Sequence, residues 1–214
     1  MPSCCDPNGL AEVFGPKRAD ADASSYRRRG LDGDERRVVD FLRNRGVSGA
    51  TVLEIGGGVG AIQLDLLRAG AAHAQNVEIS PHYETSARDL ASESGVTDRV
   101  ERVVADFAAV ATTVTPADVV IVHKVVCCYP DVTGLVRPAA ERARRWLLLT
   151  FPADRWWIRA GLRTANAVQT MFGFRFRLFF HEPREIQTIA ESTGLRLVFS
   201  QRGIFWQFLA LERA

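Results

Sequence analysis

The sequence predicts an α/β domain: a seven-stranded, mostly parallel sheet with an antiparallel last strand and helices on both faces. Three observations carry this. From Thr51 to Phe151, short apolar runs alternate with longer segments of helical period. Strands alternating with helices read as parallel βαβ units with right-handed crossovers. The first strand-like run, "TVLEI", meets a helical one across a glycine-rich turn, "GGGVG", at 56–60. Near the end, "LRLVFSQRG" runs directly into "IFWQFLALER" with no room for a helix. That makes a hairpin and turns the last strand antiparallel.

The elements follow in order. Residues 1–30 are polar and broken by Pro7, Gly9, Gly15 and Pro16, which reads as an arm or cap ahead of a domain over 31–214. In "DGDERRVVDFLRNRG" acids open, arginines close and Gly46 follows, the charge order and stop of a helix. Val38, Phe41 and Leu42 mark its buried stripe. "TVLEI", "HAQNVEI", "RVERVVAD", "ADVVIVHKVV" and "RWLLLTF" are strand-like. Between them lie the helical "AIQLDLLRAG" and "PHYETSARDLASESG", the latter with Pro81 in its first turn. Asp131 to Arg144 is partly helical, with Pro138 as a break or restart. "PREIQTIAESTG" is the last helix before the hairpin.

With 47% apolar residues in 214 the chain can build a sizeable core. A net charge of +2 argues against a dedicated nucleic-acid binder. The sum hides an asymmetry: Arg137 to Arg177 holds nine arginines against two acids, Glu141 and Asp154, so a local basic face is expected. The N-terminus lacks the basic and apolar regions of a signal peptide. No apolar run reaches the roughly 18 residues of a membrane span. A cytoplasmic protein is the expectation. The four cysteines form two adjacent pairs, Cys4-Cys5 and Cys127-Cys128. A bridge between neighbours is strained, so free thiols are expected.

The turn "EIGGGVGA" admits two ligand readings. Gly56, Gly58 and Ala61 fit the dinucleotide fingerprint, with Glu78 as the acid ending the second strand. Nicotinamide binding is therefore a competitor. Glu54 separates the readings, because its strand should be buried on both faces. A carboxylate there needs a donor or cation. It would repel a pyrophosphate and welcome an ammonium or sulfonium.

At these residues the sequence resembles the class I S-adenosylmethionine-dependent methyltransferases, from about residue 35 to the end. "VLEIGGGVG" is similar to their first motif, an acid followed by Gly56, Gly58 and Gly60. "NVEIS" is similar to their second, which implies Glu78 on the ribose hydroxyls and Ile79 against the adenine. "VVADFA" is similar to their third, implying Asp106 near the adenine amino group and Phe107 beside the ring. "ADVVIVHKV" occupies their fourth strand, with His123 a further cofactor neighbour. Together with "YRRRGL", "HKVVCCYPD" is similar to a bacterial subgroup labelled after magnesium-protoporphyrin O-methyltransferase. The resemblance implies a Rossmann-like fold, S-adenosylmethionine as cofactor and methyl transfer to a small-molecule acceptor, on an O, S or N atom.

Methyl transfer from a sulfonium needs alignment and exclusion of water, and for some acceptors a base. His123 is a candidate base because imidazole titrates near neutrality. Tyr129 is a candidate donor to an acceptor oxygen, and His181 a second candidate base. The residue 1–30 arm is expected to fold over the cleft, bringing Cys4, Cys5 and Tyr26 toward Cys127, Cys128 and His123. Four thiolates there would suit a thiophilic ion, which leaves open a non-catalytic nucleoside- or metal-binding module. About residues 153–181 a lid is expected. Trp157, Gly161, Thr164, Val168 and Met171 recur on one helical face, and Arg155, Arg159 and Arg163 on another. A core helix with a solvated arginine face, an acceptor lid and contact with an anionic membrane surface all stay open.

Overall fold

A computed structural model describes residues 9–214. Cys4 and Cys5 lie outside the described residues. Two helices open the chain, α1 (Leu10–Val13) and α2 (Pro16–Arg29). Then follow α3 (Gly33–Arg43), β1 (Thr51–Ile55), α4 (Ala61–Arg68), β2 (His73–Glu78), α5 (Glu84–Glu93), β3 (Val100–Val104), α6 (Phe107–Val110) and β4 (Ala117–His123). The second half runs α7 (Val132–Arg142), β5 (Ala143–Pro152), α8 (Trp156–Met171), α9 (Pro183–Glu191), β6 (Leu195–Arg202) and β7 (Trp206–Arg213).

The seven strands form one sheet in the order β3-β2-β1-β4-β5-β7-β6. β1 to β5 pair in parallel, and β7 runs antiparallel to both β5 and β6. The expected seven-stranded, Rossmann-like sheet is therefore the observed one. Strand order reverses between β1 and β4, where open α/β sheets bind ligands beyond the carboxyl ends of the strands. One apolar cluster fills the face carrying α3 and α4, through Val38, Leu42, Ile62 and Leu66. A second fills the face carrying α7 and α9, through Leu135, Val136, Ile186 and Leu209.

Local chemistry fixes the elements around the site. Asp32 caps α3, accepting from the amides of Asp34 and Glu35, while Glu35 returns to the Asp32 amide at 2.7 Å. This reciprocal pair satisfies donors the helix leaves free. α7 is continuous where a break at Pro138 was expected. The ring forfeits one backbone bond, but Leu135, Val136, Ala139 and Ala140 are fully buried and hold the helix to the sheet.

The N-terminal segment, expected as a loose cap, is helical and joined to the body. Ala19, Ala23 and Tyr26 enter the first apolar cluster. The Ser80 hydroxyl donates to the Phe14 carbonyl at 2.7 Å, and the Tyr83 hydroxyl to Asp22 at 3.0 Å. Among the described residues no helix is long and apolar enough to cross a membrane.

Candidate active site

The glycine turn leaves β1 with backbone angles that side chains disfavour. Gly56 and Gly58 have φ of +66° and +56°. A Cβ on Gly56 would lie 2.5 Å from Val125, and one on Gly58 3.2 Å from the Tyr83 ring. The turn is thus pressed between the β4 exit and the residue before α5, and only glycine fits.

Two carboxylates face this turn. Glu78, at the end of β2, accepts from the amides of Gly58 and Ser80, each at 2.9 Å. Burial raises its pKa, with those amides and Arg102 working the other way. Glu54 is 2% exposed, and its Oε2 has no hydrogen-bond partner among the described residues. Burial first, then the neighbouring Glu35 charge, pushes its pKa up to about 8; the Gln63 amide and Arg102 oppose the shift. Buried carboxylates of this kind call for a donor or a cation. The Arg102 guanidinium lies beneath, bonded to Glu84 at 2.8 Å and to the Gly58 carbonyl at 3.0 Å.

These groups open into a cavity of about 530 Å³ at the carboxyl ends of β1, β2 and β4. Its lining brings together Glu54, Gly56, Gly58, Glu78, Ile79 and His123, with Cys128 and Tyr129 beyond. Leu10 and Phe14 of the N-terminal segment and Tyr26 of α2 form its far wall. Besides His181, four residues expected at the site are absent from that lining. Gly60 begins α4, and Asp106 caps α6 by accepting from the Ala108 amide. Phe107 is packed in the second apolar cluster. Cys127 is buried beside Leu10 and Phe176.

His123 carries both ring nitrogens buried and without a partner among the described residues. It does not titrate near neutrality as expected. Burial, aided by the Lys124 charge, lowers its pKa to about 3, so the imidazole is neutral. His181 bonds through its ring to the Tyr129 carbonyl at 2.8 Å and so braces that loop from outside the cavity. Cys127 and Cys128 are free thiols. Donation to Cys127 and burial push the Cys128 thiol well above its ordinary range. Among the described residues no group of three or more His, Cys, Asp or Glu could hold a metal. Tyr26, expected toward the cysteines, instead donates to Asp65 at 3.0 Å and accepts from Arg68 at 2.7 Å. Leu10 is the N-terminal residue that clusters with the cysteines, with Phe14 packed against it.

The core-helix reading of α8 does not hold. Ile158 is its one buried residue, and the stripe through Val168 and Met171 faces outward. Asn166 on the inner side holds the following segment, bonding both the amide and the carbonyl of Leu178.

Sequence reasoning missed Tyr83, Arg102 and Lys124. Lys124 has φ +60°, and its ammonium reaches Asp32 at 2.8 Å and Asp34 at 3.5 Å.

With this geometry in place, comparison with known proteins is decisive. Residues 24–199, more than half of the chain, match the family described as a methyltransferase domain. The chain belongs to that family. The resemblance to class I methyltransferases read from the sequence is thereby borne out. Among solved structures, the chain is similar to magnesium protoporphyrin IX methyltransferase from Synechocystis PCC 6803 with bound SAH. They share 20% identity and a TM-score of 0.67, over all of this chain and 89% of that one. An O-methyltransferase family protein from Burkholderia thailandensis gives 18% identity and a TM-score of 0.71, over 95% of this chain and 63% of that one. At these identities the likeness is one of fold. The ribosomal protein L11 methyltransferase of Escherichia coli K12 is 35% identical over 63 residues, 29% of this chain and 22% of its own length. The chain thus matches about a fifth of the length of that curated relative. The nicotinamide reading is not favoured, since Glu54 stands where a pyrophosphate would meet a carboxylate.

Proposed function

We propose that this protein transfers a methyl group from S-adenosylmethionine to a small-molecule acceptor. Residues 1–30 would act as a cap on a methyltransferase domain over 31–214, with a lid near 153–181. One observation carries the reading. A buried carboxylate with one unpartnered oxygen, Glu54 Oε2, and a glycine turn without room for side chains open into the same cavity as Glu78. That donor set fits a ligand with hydroxyls at one end and a cation at the other.

S-adenosylmethionine supplies an electrophilic methyl group on a sulfonium. The chain's own part is binding, alignment and exclusion of water. Glu78 has acceptor capacity left after its two amide bonds, enough for ribose hydroxyls. Glu54 meets the ammonium of the methionine moiety. Ile79 and Tyr83 line the cavity as apolar walls. The N-terminal helices keep water from the reacting methyl. Neutral His123 and Tyr129 line the cavity on the β4 side and would border the acceptor. A pKa of about 3 makes His123 a weak base, which favours acceptors that arrive already ionised.

Calorimetric titration with S-adenosylhomocysteine and, separately, NADH tests the cofactor. Heat from NADH alone would overturn the proposal. Release of S-adenosylhomocysteine during a screen of thiols, phenols and carboxylates then identifies the acceptor class.

A further inference from the structure

The outward face of α8 is neither core nor an ordinary solvated surface. Trp156 is 80% exposed at its start, and Met171 and Phe172 are 73% and 68% exposed at its end. Ala160, Ala167 and Val168 are exposed between them. The tip of the β6–β7 hairpin extends this face, with Ile204 70% and Phe205 61% exposed. The two parts touch: the rings of Trp157 and Phe205 meet edge to face at 5.3 Å, and the Ala153 amide donates to the Phe205 carbonyl at 2.8 Å. Apolar side chains thus stand at both ends of a helix that rises about 22 Å from Trp156 to Met171. Monomeric proteins rarely leave contiguous apolar surface of this kind uncovered without a use for it.

Charge selects the occupant. Residues 154–182 contain five arginines against two acids, Asp154 and Glu182, both paired with Arg159, while Arg163 is exposed on the outer face of the helix. A solvated helix face mixes charges of both signs, whereas a helix lying in a lipid interface sets aromatic and apolar residues among cations. A second copy docked symmetrically through this face would set basic patch against basic patch. Anionic headgroups would complement it.

We propose that the outer face of α8, with the hairpin tip, docks on an anionic lipid bilayer. Trp156, Met171, Phe172, Ile204 and Phe205 enter the headgroup boundary, and the exposed Arg163 faces the lipid phosphates. The docking does not depend on the methyl-transfer reading, and its test reads no turnover.

The test is co-sedimentation of the full chain with phosphatidylcholine vesicles, with and without phosphatidylglycerol. Binding is expected to the anionic vesicles and to weaken as salt rises, because the arginine contribution is screened. A Trp156→Ser, Met171→Gln, Phe172→Gln variant should bind at least ~10-fold more weakly, since apolar burial drives interfacial docking. Its melting temperature should be unchanged, because the replaced side chains are exposed. Arg163→Gln should reduce the salt dependence. Absence of sedimentation with anionic vesicles at low salt would overturn the proposal. So would equal binding by wild type and the triple variant. A dimer in light scattering that the triple variant abolishes would assign the face to a second copy and equally overturn it.

Discussion

Gly58 gives its amide to the carboxylate of Glu78 at 2.9 Å, tying the glycine turn to the end of β2. The other oxygen of Glu78 takes the Ser80 amide, also at 2.9 Å. One side chain therefore fixes both walls of the cavity mouth. An ionised carboxylate has about four acceptor sites, so two remain for a ligand.

Replacing Glu78 tests this double use. Each bond to a charged acceptor is worth about 1.5–3 kcal/mol. Glu78→Ala should weaken S-adenosylhomocysteine binding at least ~10-fold by calorimetry and lower the melting temperature, because the buried Ser80 amide and the half-buried Gly58 amide lose their acceptor. Glu78→Gln keeps the shape and should recover part of the stability. Full affinity in folded Glu78→Ala would place the ribose elsewhere.

Glu54 predicts a pH signature. Its pKa is raised from 4.5 to about 8, so the folded chain holds a proton that the unfolded chain releases. That contribution is complete below about pH 4.5 and is lost as pH rises through about 8. The ligand-free protein should therefore lose stability between those limits, and Glu54→Gln should flatten the loss. An ammonium ligand favours the carboxylate, so binding near neutral pH should release a proton. Calorimetry in two buffers of different ionisation enthalpy measures it. Identical apparent enthalpies in the two buffers would remove Glu54 from the cation's partners.

Much of this was legible in the sequence, for physical reasons. Glu54 stands out because an acid in a strand buried on both faces needs a partner. Glu78 stands out because it ends a strand beside the glycine turn. Lys124 left no such trace: its partner Asp32 lies 92 residues away, and no local period encodes the pairing. Arg102 sits in a strand that reads as ordinary, and only the fold brings it under Gly58. On α8 two stripes of helical spacing lie side by side. Tertiary packing buried Ile158, which belongs to neither stripe, and left Val168 and Met171 outside. Phe107 followed the core in the same way.

Arg102 should matter more than its distance from solvent chemistry implies. Its side chain is 6% exposed and is bonded to Glu84 and Gly58. Arg102→Leu would leave the Glu84 carboxylate with Arg88 alone, at 3.4 Å, and free the Gly58 carbonyl, at a cost of about 1–3 kcal/mol for the groups left unsatisfied. A fall in melting temperature is expected, with partial rescue by Arg102→Lys. A variant as stable as wild type would mean that water replaces the guanidinium.

Lys124 closes the site by a strained residue. Its φ of +60° is a left-handed conformation, which costs a residue with a Cβ about 1–2 kcal/mol. Its amide is held by the Thr150 carbonyl at 2.9 Å, and its ammonium spans to the cap of α3 at Asp32. Asp32 is half-exposed, so this ion pair contributes only about 0–1 kcal/mol of stability. Strain that the pair does not offset points to a role in the site, where Lys124 lines the cavity and its charge adds to burial in keeping His123 neutral. Two substitutions separate the effects. Lys124→Met keeps the strain and loses the pair, while Lys124→Gly loses both, so the glycine variant should be the more stable by about 1 kcal/mol. Both should raise the pKa of His123, read from its ring proton shifts, because the nearby positive charge is gone. Both should also lower kcat more than cofactor affinity, because the α3 end of the wall is no longer tied to the exit of β4. If kcat and the His123 titration match wild type in both variants, Lys124 is a structural residue only.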